Sequence, residues 1–163
     1  MSRPELERKI FSFETLLPIL EAEKAAGKIL VTNNGSYDIM HLGHIEGLFY
    51  AKSLGDILIV GVNSDLSVRT YKGPNRPIND DHMRTRMLAA LSCVDYVFTF
   101  DETVPMSWLA RVKPQIHTNG AEYGEDCIER DTVVENGGKV VLLPMVPGYK
   151  TSQIIEKILA VYR

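Results

Sequence analysis

Short runs of β-branched and aromatic residues alternate along this chain with longer stretches in which apolar residues recur at helical spacing. The short runs predict five strands, at Lys28–Thr32, Asp56–Asn63, Tyr96–Phe100, Gln115–His117 and Lys139–Leu143. The longer stretches predict helices at about 41–54, 81–91, 104–112, 127–136 and 151–161. Strands that alternate with helices are typical of a parallel sheet whose two faces are both covered by helices.

This alternation predicts an α/β fold, a single Rossmann-like doubly wound domain with a five-stranded parallel sheet. Residues 1–27 precede the first strand and predict a helical extension that packs on the domain. Within it we expect a helix from Thr15 to Ala26, with Thr15 as the N-cap and Pro18 in the first turn, where a missing N–H has no intrahelical acceptor.

One irregular stretch, Tyr71–Asp81, interrupts the pattern with two prolines, one glycine and little apolar content. A loop of this length in a compact domain is more often a lid or a binding loop than an idle connection, although a plain surface excursion stays possible. Lys72 and Arg76 make it positively charged. We therefore expect a mobile, cationic loop.

Composition narrows the class of protein. The 163 residues carry 18 Lys and Arg against 21 Asp and Glu, so a broad cationic face for nucleic acid is not expected. Cys93 and Cys127 are far apart and without metal-ligand spacing, which predicts free thiols in a reducing compartment. The apolar runs are too short to span a bilayer. These features predict a cytoplasmic protein that binds neither nucleic acid nor membrane.

The most informative segment, NNGSYDIMHLGH at 33–44, follows the first predicted strand and leads into a helix. Ligands of doubly wound folds bind at the carboxyl ends of strands, where helix N-termini present free N–H groups to anions. Gly35 permits a close backbone approach, and Gly43 leaves room for a nucleotide against the helix. His41 and His44, three apart, project to one side and can donate hydrogen bonds to phosphate oxygens.

The two histidines could instead be half of a zinc site or solvated surface residues. Half of a zinc site would need further protein ligands, and neither a cysteine nor an H-E-x-x-H pattern is nearby, so no metal site is predicted. Two solvated surface histidines would not explain why strand, glycine turn and helix agree around them. His117, at the end of a predicted strand, is either a packed imidazole or a site residue.

This segment resembles the H-x-G-H signature of the cytidylyltransferase-like nucleotidyltransferase superfamily, in which an N-G-x-F-D-x-x-H-x-G-H turn cradles the nucleotide triphosphate. More narrowly, the chain resembles the heptose-1-phosphate adenylyltransferases that make ADP-heptose for lipopolysaccharide core. The likeness runs nearly end to end and includes GDILIVGVNSDLSVRTYKGPNRPIN, RTRMLAALSCVDYV and KPQIHTNGAEYGED. It implies one nucleotidyltransferase domain over residues 1–163, which transfers AMP from ATP to D-glycero-β-D-manno-heptose 1-phosphate and releases pyrophosphate.

The resemblance also implies site residues. Catalytic roles fall on His41, His44, Lys72 and Arg84; a cation near a helix N-terminus is not favoured by the dipole, so a bound phosphate would explain Arg84. Nucleotide contacts fall on Asn33, Asn34, Gly35, Ser36, Tyr37, His41, Gly43, His44, Asn119, Gly120, Glu122, Tyr123, Thr151 and Ser152. Substrate contacts fall on Asp38, Asn63, Asp65 and Lys72. Mg²⁺ is expected to arrive on the triphosphate, with Asp38 the one candidate to help hold it, and a homodimer or higher homo-oligomer is expected.

Two departures from the family pattern stand out. Tyr37 replaces the usual Phe, and Lys150 replaces a small hydroxyl residue in the closing G-x-S-T-[ST] motif, here Gly148–Ser152. The same signature also serves glycerol-3-phosphate cytidylyltransferases and adenylyltransferases that act on a flavin. The choice between ATP and CTP therefore stays open, and a nucleotide-sensing module without turnover is the non-enzyme alternative.

Overall fold

The computed structural model describes residues 2–124 and 126–162, without the side chain of Glu122. Within these residues the strands are β1 Ile10–Phe11, β2 Leu30–Gly35, β3 Ile57–Asn63, β4 Tyr96–Phe100, β5 Ile116–Gly120 and β6 Lys139–Leu143. The helices are α1 Arg3–Glu7, α2 Phe13–Ala25, α3 Leu42–Ser53, α4 Asp65–Lys72, α5 Asp81–Ala89, α6 Met106–Val112, α7 Arg130–Glu135 and α8 Thr151–Tyr162. A 3₁₀ turn spans Ala121–Tyr123.

The strands form one parallel sheet in the order β1-β4-β3-β2-β5-β6, which confirms the predicted α/β class. The expected number of five strands is wrong, because Ile10–Phe11 pairs with β4 and adds a sixth among the described residues. Two residues are too few to show an alternation in sequence. Successive strands run outward from β2 through β3 to β4, and the chain then returns to place β5 on the other side of β2. A ligand crevice is expected at that reversal.

The core lies on both faces of the sheet. On one face Leu48 of α3 and Leu88 of α5 pack with Leu58, Val60 and Val62. On the other face α2 and α6 cover β2, β3 and β4, with a buried cluster that includes Leu16, Leu20, Leu30, Ile59, Phe98, Trp108 and Leu109. Every residue of β3 is buried, which explains its unbroken apolar run in the sequence.

Two predicted strands end later than expected. β2 continues through Asn33 to Gly35, and β5 continues through Asn119 to Gly120. Asn and Gly are poor strand formers, so the pattern placed them in turns. In the fold, pairing with β3 extends β2, with Asn33 opposite Val60. The first residues of the signature segment are therefore held by the sheet.

The N-terminal helix begins earlier than expected. Ser12 is its N-cap, and its hydroxyl accepts a hydrogen bond from the Thr15 backbone N–H at 3.3 Å. The prediction that Thr15 caps the helix is wrong, because a capping hydroxyl is already present three residues upstream. Pro18 consequently lies inside the helix rather than in its first turn. Leu16 and Leu20 are buried against the sheet, as expected.

The expected loop over Tyr71–Asp81 is shorter than predicted. Tyr71 and Lys72 complete helix α4, and Asp81 begins α5, so the irregular segment covers residues 73–80. Helix α4 escaped prediction because it is short and mostly polar, with Ser67 and Val68 as its buried residues. Its N-cap, Ser64, accepts a hydrogen bond from the Ser67 N–H at 3.2 Å. Lys72 is therefore carried on a helix end.

Two further predictions concern the whole described chain. Cys93 and Cys127 are free thiols, as their spacing indicated, and both are buried. Over residues 2–124 and 126–162, none of the helices has the length and apolar content that a bilayer crossing requires.

Candidate active site

A cavity of about 720 Å³ opens at the carboxyl ends of β2, β5 and β6. Its wall includes residues 33–38, the first turns of α3, the end of α4, residues 119–120 and 143–146, and residues 149–152 at the start of α8. This is the crevice that the strand order predicts. Its volume is within the range of small-molecule sites, about 300–1,000 Å³.

His41 and His44 stack at the N-terminus of α3, with ring centroids 3.9 Å apart and an interplanar angle of 29°. His41 is the N-cap residue, and its backbone N–H donates to Nδ1 of His44 at 3.3 Å. Because Nδ1 of a neutral His44 accepts, its proton resides on Nε2, which is then a donor. A Cβ on Gly43 would lie 3.0 Å from the His41 ring, so the glycine makes room for the stacked pair.

Both imidazoles have depressed pKa values. Burial lowers the pKa of His44 to about 4, with further contributions from His41 and Lys72. Burial also lowers the pKa of His41. Both rings are therefore neutral near pH 7. An anion bound beside the pair would favour the charged form and raise both pKa values.

Asp38 fastens the 73–80 segment to the signature turn. Its side chain is 2% exposed and accepts hydrogen bonds from Arg76 Nε at 2.5 Å and from the backbone N–H groups of Ile78 and Asn79 at 2.7 and 2.8 Å. The Asn79 side chain also donates to the Asp38 carbonyl oxygen. With both carboxylate oxygens occupied, the contact predicted between Asp38 and substrate stays a prediction.

Lys72 points back to the signature turn, where its Nζ donates to the Ser36 hydroxyl at 2.8 Å. Burial lowers the pKa of Lys72, as does Arg76, while Asp38 raises it. Lys72, Arg76 and Ser36 all line the cavity. The cation predicted from the sequence is thus beside the signature turn, and Arg76 joins it there.

Arg84 is fully buried and connects four segments of the fold. Its Nε donates to the Asn79 carbonyl, Nη1 donates to the carbonyls of Ser36 and Asn63, and Nη2 pairs with Asp65, at 2.5 to 2.9 Å. These bonds occupy each nitrogen of the guanidinium. The phosphate contact predicted for Arg84 stays a prediction that this arrangement does not favour, since Arg84 is not on the cavity wall.

Asn63 and Asp65 belong to the same connected region. The Asn63 amide donates to the Ser67 hydroxyl and to the Glu102 carbonyl, and Asn63 lines the cavity. Asp65 is turned to Arg84, and its N–H donates to Asp81. Asn63 is therefore at the cavity, whereas Asp65, also a predicted substrate contact, is not on the cavity wall and pairs with Arg84.

Tyr37, the residue that departs from the family pattern, locks the signature turn. Its backbone has φ of +48°, its ring is buried, and its hydroxyl donates to Oδ1 of Asn33. The Asn33 amide donates in turn to the carbonyl and hydroxyl of Thr118 on β5, at 2.8 and 2.9 Å. Asn33 and Tyr37 thus join β2 to β5. The next residue, Asn34, lines the cavity, and its buried Oδ1 has no hydrogen-bond partner among the described residues.

The far end of the cavity is built on β5, β6 and α8. Asn119, Gly120 and Tyr123 line it, as do Thr151 and Ser152 in the first turn of α8. Lys150 is exposed there. The Glu122 side chain, a predicted nucleotide contact, is outside the described part of the chain.

Some cavity residues were not predicted. Arg76 was noted only as loop charge, and Glu129, which lines the far end, falls in a stretch interpreted as an ordinary helix. No motif marks Glu129 in the sequence. His117 proves to be a packed imidazole: it is fully buried, Nδ1 bonds Thr32 Oγ1 at 2.9 Å, and burial lowers its pKa to about 3.

The sheet is parallel and doubly wound, and a stacked histidine pair lies at a helix N-terminus beside the point where the strand order reverses. These features define a nucleotide-binding α/β protein. Residues 33–157 match the cytidylyltransferase-like family, and the chain belongs to this family. The superfamily resemblance stated from the signature is thereby confirmed.

Similar proteins share most of this chain. It is 45% identical over 157 residues to the bifunctional protein HldE of Trichlorobacter lovleyi and to that of Geobacter metallireducens, covering 96% of this chain and 32% of each relative. HldE of Campylobacter jejuni subsp. doylei is also 45% identical. The chain therefore spans about a third of the length of these curated relatives. A solved lipopolysaccharide core biosynthesis protein from Thermoplasma volcanium GSS1 superposes with a TM-score of 0.62 at 34% identity, over 74% of this chain and 99% of that one.

Proposed function

We propose that this chain transfers AMP from ATP to D-glycero-β-D-manno-heptose 1-phosphate, giving ADP-heptose and pyrophosphate. The observation that carries the proposal is the stacked pair of His41 and His44 at a helix N-terminus, in a cavity of about 720 Å³. The similarity to HldE and to a lipopolysaccharide core biosynthesis protein supports the choice of acceptor and of adenylyl transfer.

In this reaction an oxygen of the sugar phosphate attacks the α-phosphorus of ATP, and the bond to pyrophosphate breaks in line. No side chain needs to act as a nucleophile, so catalysis consists of positioning and charge stabilisation. We assign hydrogen-bond donation to the triphosphate oxygens to Nε2–H of His44, the His41 ring and the N–H groups of α3. Lys72 supplies a cation at the same turn.

A second set of residues acts by holding these groups in place. We assign Asp38 and Arg84 this positioning role, since Asp38 fastens residues 76–79 and Arg84 ties the Ser36 carbonyl to Asn63 and Asp65. Arg76, which Asp38 orients, lines the cavity and adds positive charge for the sugar phosphate. The nucleotide turn and the sugar-phosphate segment thereby form one unit.

The rest of the nucleotide is assigned to the far end of the cavity. Asn119 and Gly120 end β5, and Glu122 and Tyr123 follow it. Thr151 and Ser152 begin α8, whose N-terminus favours an anion. Lys150 precedes them and adds a cation.

Mg²⁺ is proposed to enter on the triphosphate, where it neutralises charge on the phosphate oxygens. Among described side chains that line the cavity, the carboxylates are Asp38 and Glu129. Asp38 already accepts three hydrogen bonds and Glu129 accepts one from Asn119. These residues therefore fit a metal carried by the nucleotide better than a metal cage of the protein.

Pyrophosphate release tests the proposal. ATP and CTP are each offered with heptose 1-phosphate, glycerol 3-phosphate and flavin mononucleotide, with His44→Ala as the inactive control. We expect turnover with ATP and heptose 1-phosphate. Turnover restricted to CTP and glycerol 3-phosphate, or to the flavin, would reassign the substrates, and nucleotide binding without release from any pair would indicate a sensor.

The cellular setting is part of the proposal. We place the reaction in the cytoplasm, where ATP is available, and expect a homodimer. Helix α8 exposes Ile158, Leu159, Val161 and Tyr162, apolar surface that a second copy of this chain would bury. Light scattering of the purified protein measures this, and a monomeric mass at micromolar concentration would refute the dimer.

A further inference from the structure

Tyr37 lies in the turn between β2 and α3, and its backbone φ of +48° is in the left-handed region. A bulky side chain is rarely found there, and it persists where surrounding contacts hold it. The Tyr37 ring is buried in the core cluster that includes Leu48 of α3. A Cβ on Gly35 would lie 3.3 Å from this ring, so the glycine at the end of β2 leaves it room.

The hydroxyl of Tyr37 ends a chain of hydrogen bonds that reaches β5. Asn33 Nδ2 donates to the carbonyl and the hydroxyl of Thr118, and the Thr118 hydroxyl donates to the Thr32 carbonyl at 3.0 Å. A carbonyl oxygen only accepts, so the nitrogen of the Asn33 amide must face Thr118 and its oxygen must face Tyr37. Burial raises the pKa of the Tyr37 hydroxyl, which therefore stays protonated at neutral pH and donates to that oxygen.

The Tyr37 ring also contacts His44, with ring centroids 5.4 Å apart and an interplanar angle of 56°. His44 stacks on His41 and accepts the His41 N–H through Nδ1. The backbone on either side of Tyr37 is already held, at Ser36 by a bond to its carbonyl oxygen and at Asp38 by bonds to its carboxylate. The hydroxyl therefore adds a fixed position of the ring beside His44.

We propose that Tyr37 is a positioning residue for His44: its hydroxyl, anchored to β5 through Asn33, holds the ring that keeps His44 in the orientation in which Nδ1 accepts from His41 and Nε2–H is left for a ligand. Without the hydroxyl, Asn33 Oδ1 is a buried acceptor without a donor, and the ring is released. Where it concerns turnover, the inference rests on the proposed function; the orientation of His44 does not depend on it.

Imidazole ¹H–¹⁵N spectra at pH 7 without added nucleotide test the orientation. In the wild type, His44, assigned by the loss of its signals in His44→Ala, should show one neutral tautomer with the proton on Nε2. Tyr37→Phe should give a mixture of both neutral tautomers. Asn33→Ala, which removes the acceptor and keeps the tyrosine, should give the same mixture, and it decides the question if Tyr37→Phe fails to fold by circular dichroism.

Turnover with ATP and heptose 1-phosphate is the second readout. Tyr37→Phe should lower kcat about tenfold, because a displacement of about 1 Å is enough to slow a positioned reaction by up to about 10²-fold. The KM for ATP should change less than about twofold, since the other contacts to the nucleotide remain. In an Asn33→Ala background the hydroxyl has no amide to bind, so adding Tyr37→Phe should change kcat less than about twofold.

Tyr96→Phe is the matched control. It removes a hydroxyl from a tyrosine of β4 that is not on the cavity wall, and it should leave the His44 signals and kcat unchanged. Wild-type His44 signals in both Tyr37→Phe and Asn33→Ala would overturn the inference, as would an unchanged kcat in Tyr37→Phe or an equal loss of kcat with and without Asn33. If the wild type turns over no pair of substrates, the proposed function fails, while the His44 signals still decide the inference.

Discussion

Replacing Arg84 with lysine tests whether this residue holds the site together or binds phosphate. Lysine keeps the positive charge but has one nitrogen, so it cannot reach the carbonyls of Ser36, Asn63 and Asn79 together with Asp65. Each buried acceptor left without a donor costs about 1–3 kcal/mol. With two or more left unpaired, we expect Arg84→Lys to lower the free energy of unfolding by about 2–4 kcal/mol, without any ligand present.

Urea unfolding followed by circular dichroism measures this loss. With a slope of about 2 kcal/mol per molar urea, the midpoint should fall by roughly 1–2 M. Arg86→Lys is the matched control. Arg86 is on the same helix but partly exposed, with Glu7 as its ion-pair partner, so this substitution should lower the free energy of unfolding by less than about 1 kcal/mol. If Arg84→Lys unfolds at the wild-type midpoint and only loses nucleotide affinity, the positioning role is refuted.

Four other predictions concern the ligand. His44→Ala should lower kcat by on the order of 10²-fold with unchanged circular dichroism, because the imidazole stabilises charge that develops on the phosphates; near wild-type turnover would remove phosphate chemistry from this pair. Burial depresses the pKa of His44 to about 4, and a bound phosphate should raise it, so binding takes up protons and ATP affinity should rise as pH falls from 8 to 6. Titration in buffers of different ionisation enthalpy detects that uptake, and zero uptake contradicts it. Lys150→Ser should weaken ATP binding by about 1–2 kcal/mol and reduce its salt dependence, whereas equal affinity at two salt concentrations assigns Lys150 to the surface. In hydrogen exchange, the 73–80 segment should gain protection when nucleotide and sugar phosphate are both bound. The amides of Ile78 and Asn79 should already be protected without ligand, because they donate to Asp38. Equal exchange of the whole segment in the free and ternary states would show that it is a plain connector.

The sheet could be predicted because its central strands are buried on both faces and read as apolar runs. The two-residue β1 has no such signal, and β2 and β5 end in Asn and Gly, which only the pairing with their neighbours keeps extended. Helix α4 was missed for a related reason: packing of Ser67 and Val68, together with the Ser64 cap, stabilises a sequence of low apolar content. Local propensity was outweighed by tertiary contacts in each case.

The candidate site could be predicted where a short motif carries its chemistry, as with His41, His44 and Lys72. Partners distant in sequence could not be: Asp38 and Arg76 are 38 positions apart, and Arg84 and Ser36 are 48 apart. Glu129 belongs to no motif, and only the fold brings it to the cavity wall, where it accepts a hydrogen bond from Asn119.

The anchoring of the 73–80 segment has a consequence for how the two substrates meet. Ser36 accepts from Lys72 through its hydroxyl and from Arg84 through its carbonyl, while Asp38, two residues later, holds Arg76. The turn proposed to receive the triphosphate and the segment proposed to offer charge to the sugar phosphate are therefore joined by these bonds. Because these bonds already hold the two cationic side chains in place, the conformational entropy of ordering them is lost on folding rather than on binding. A triphosphate that draws Lys72 from Ser36 would exchange a hydrogen bond to a neutral hydroxyl for one to an anionic oxygen, leaving the Asp38 anchor in place.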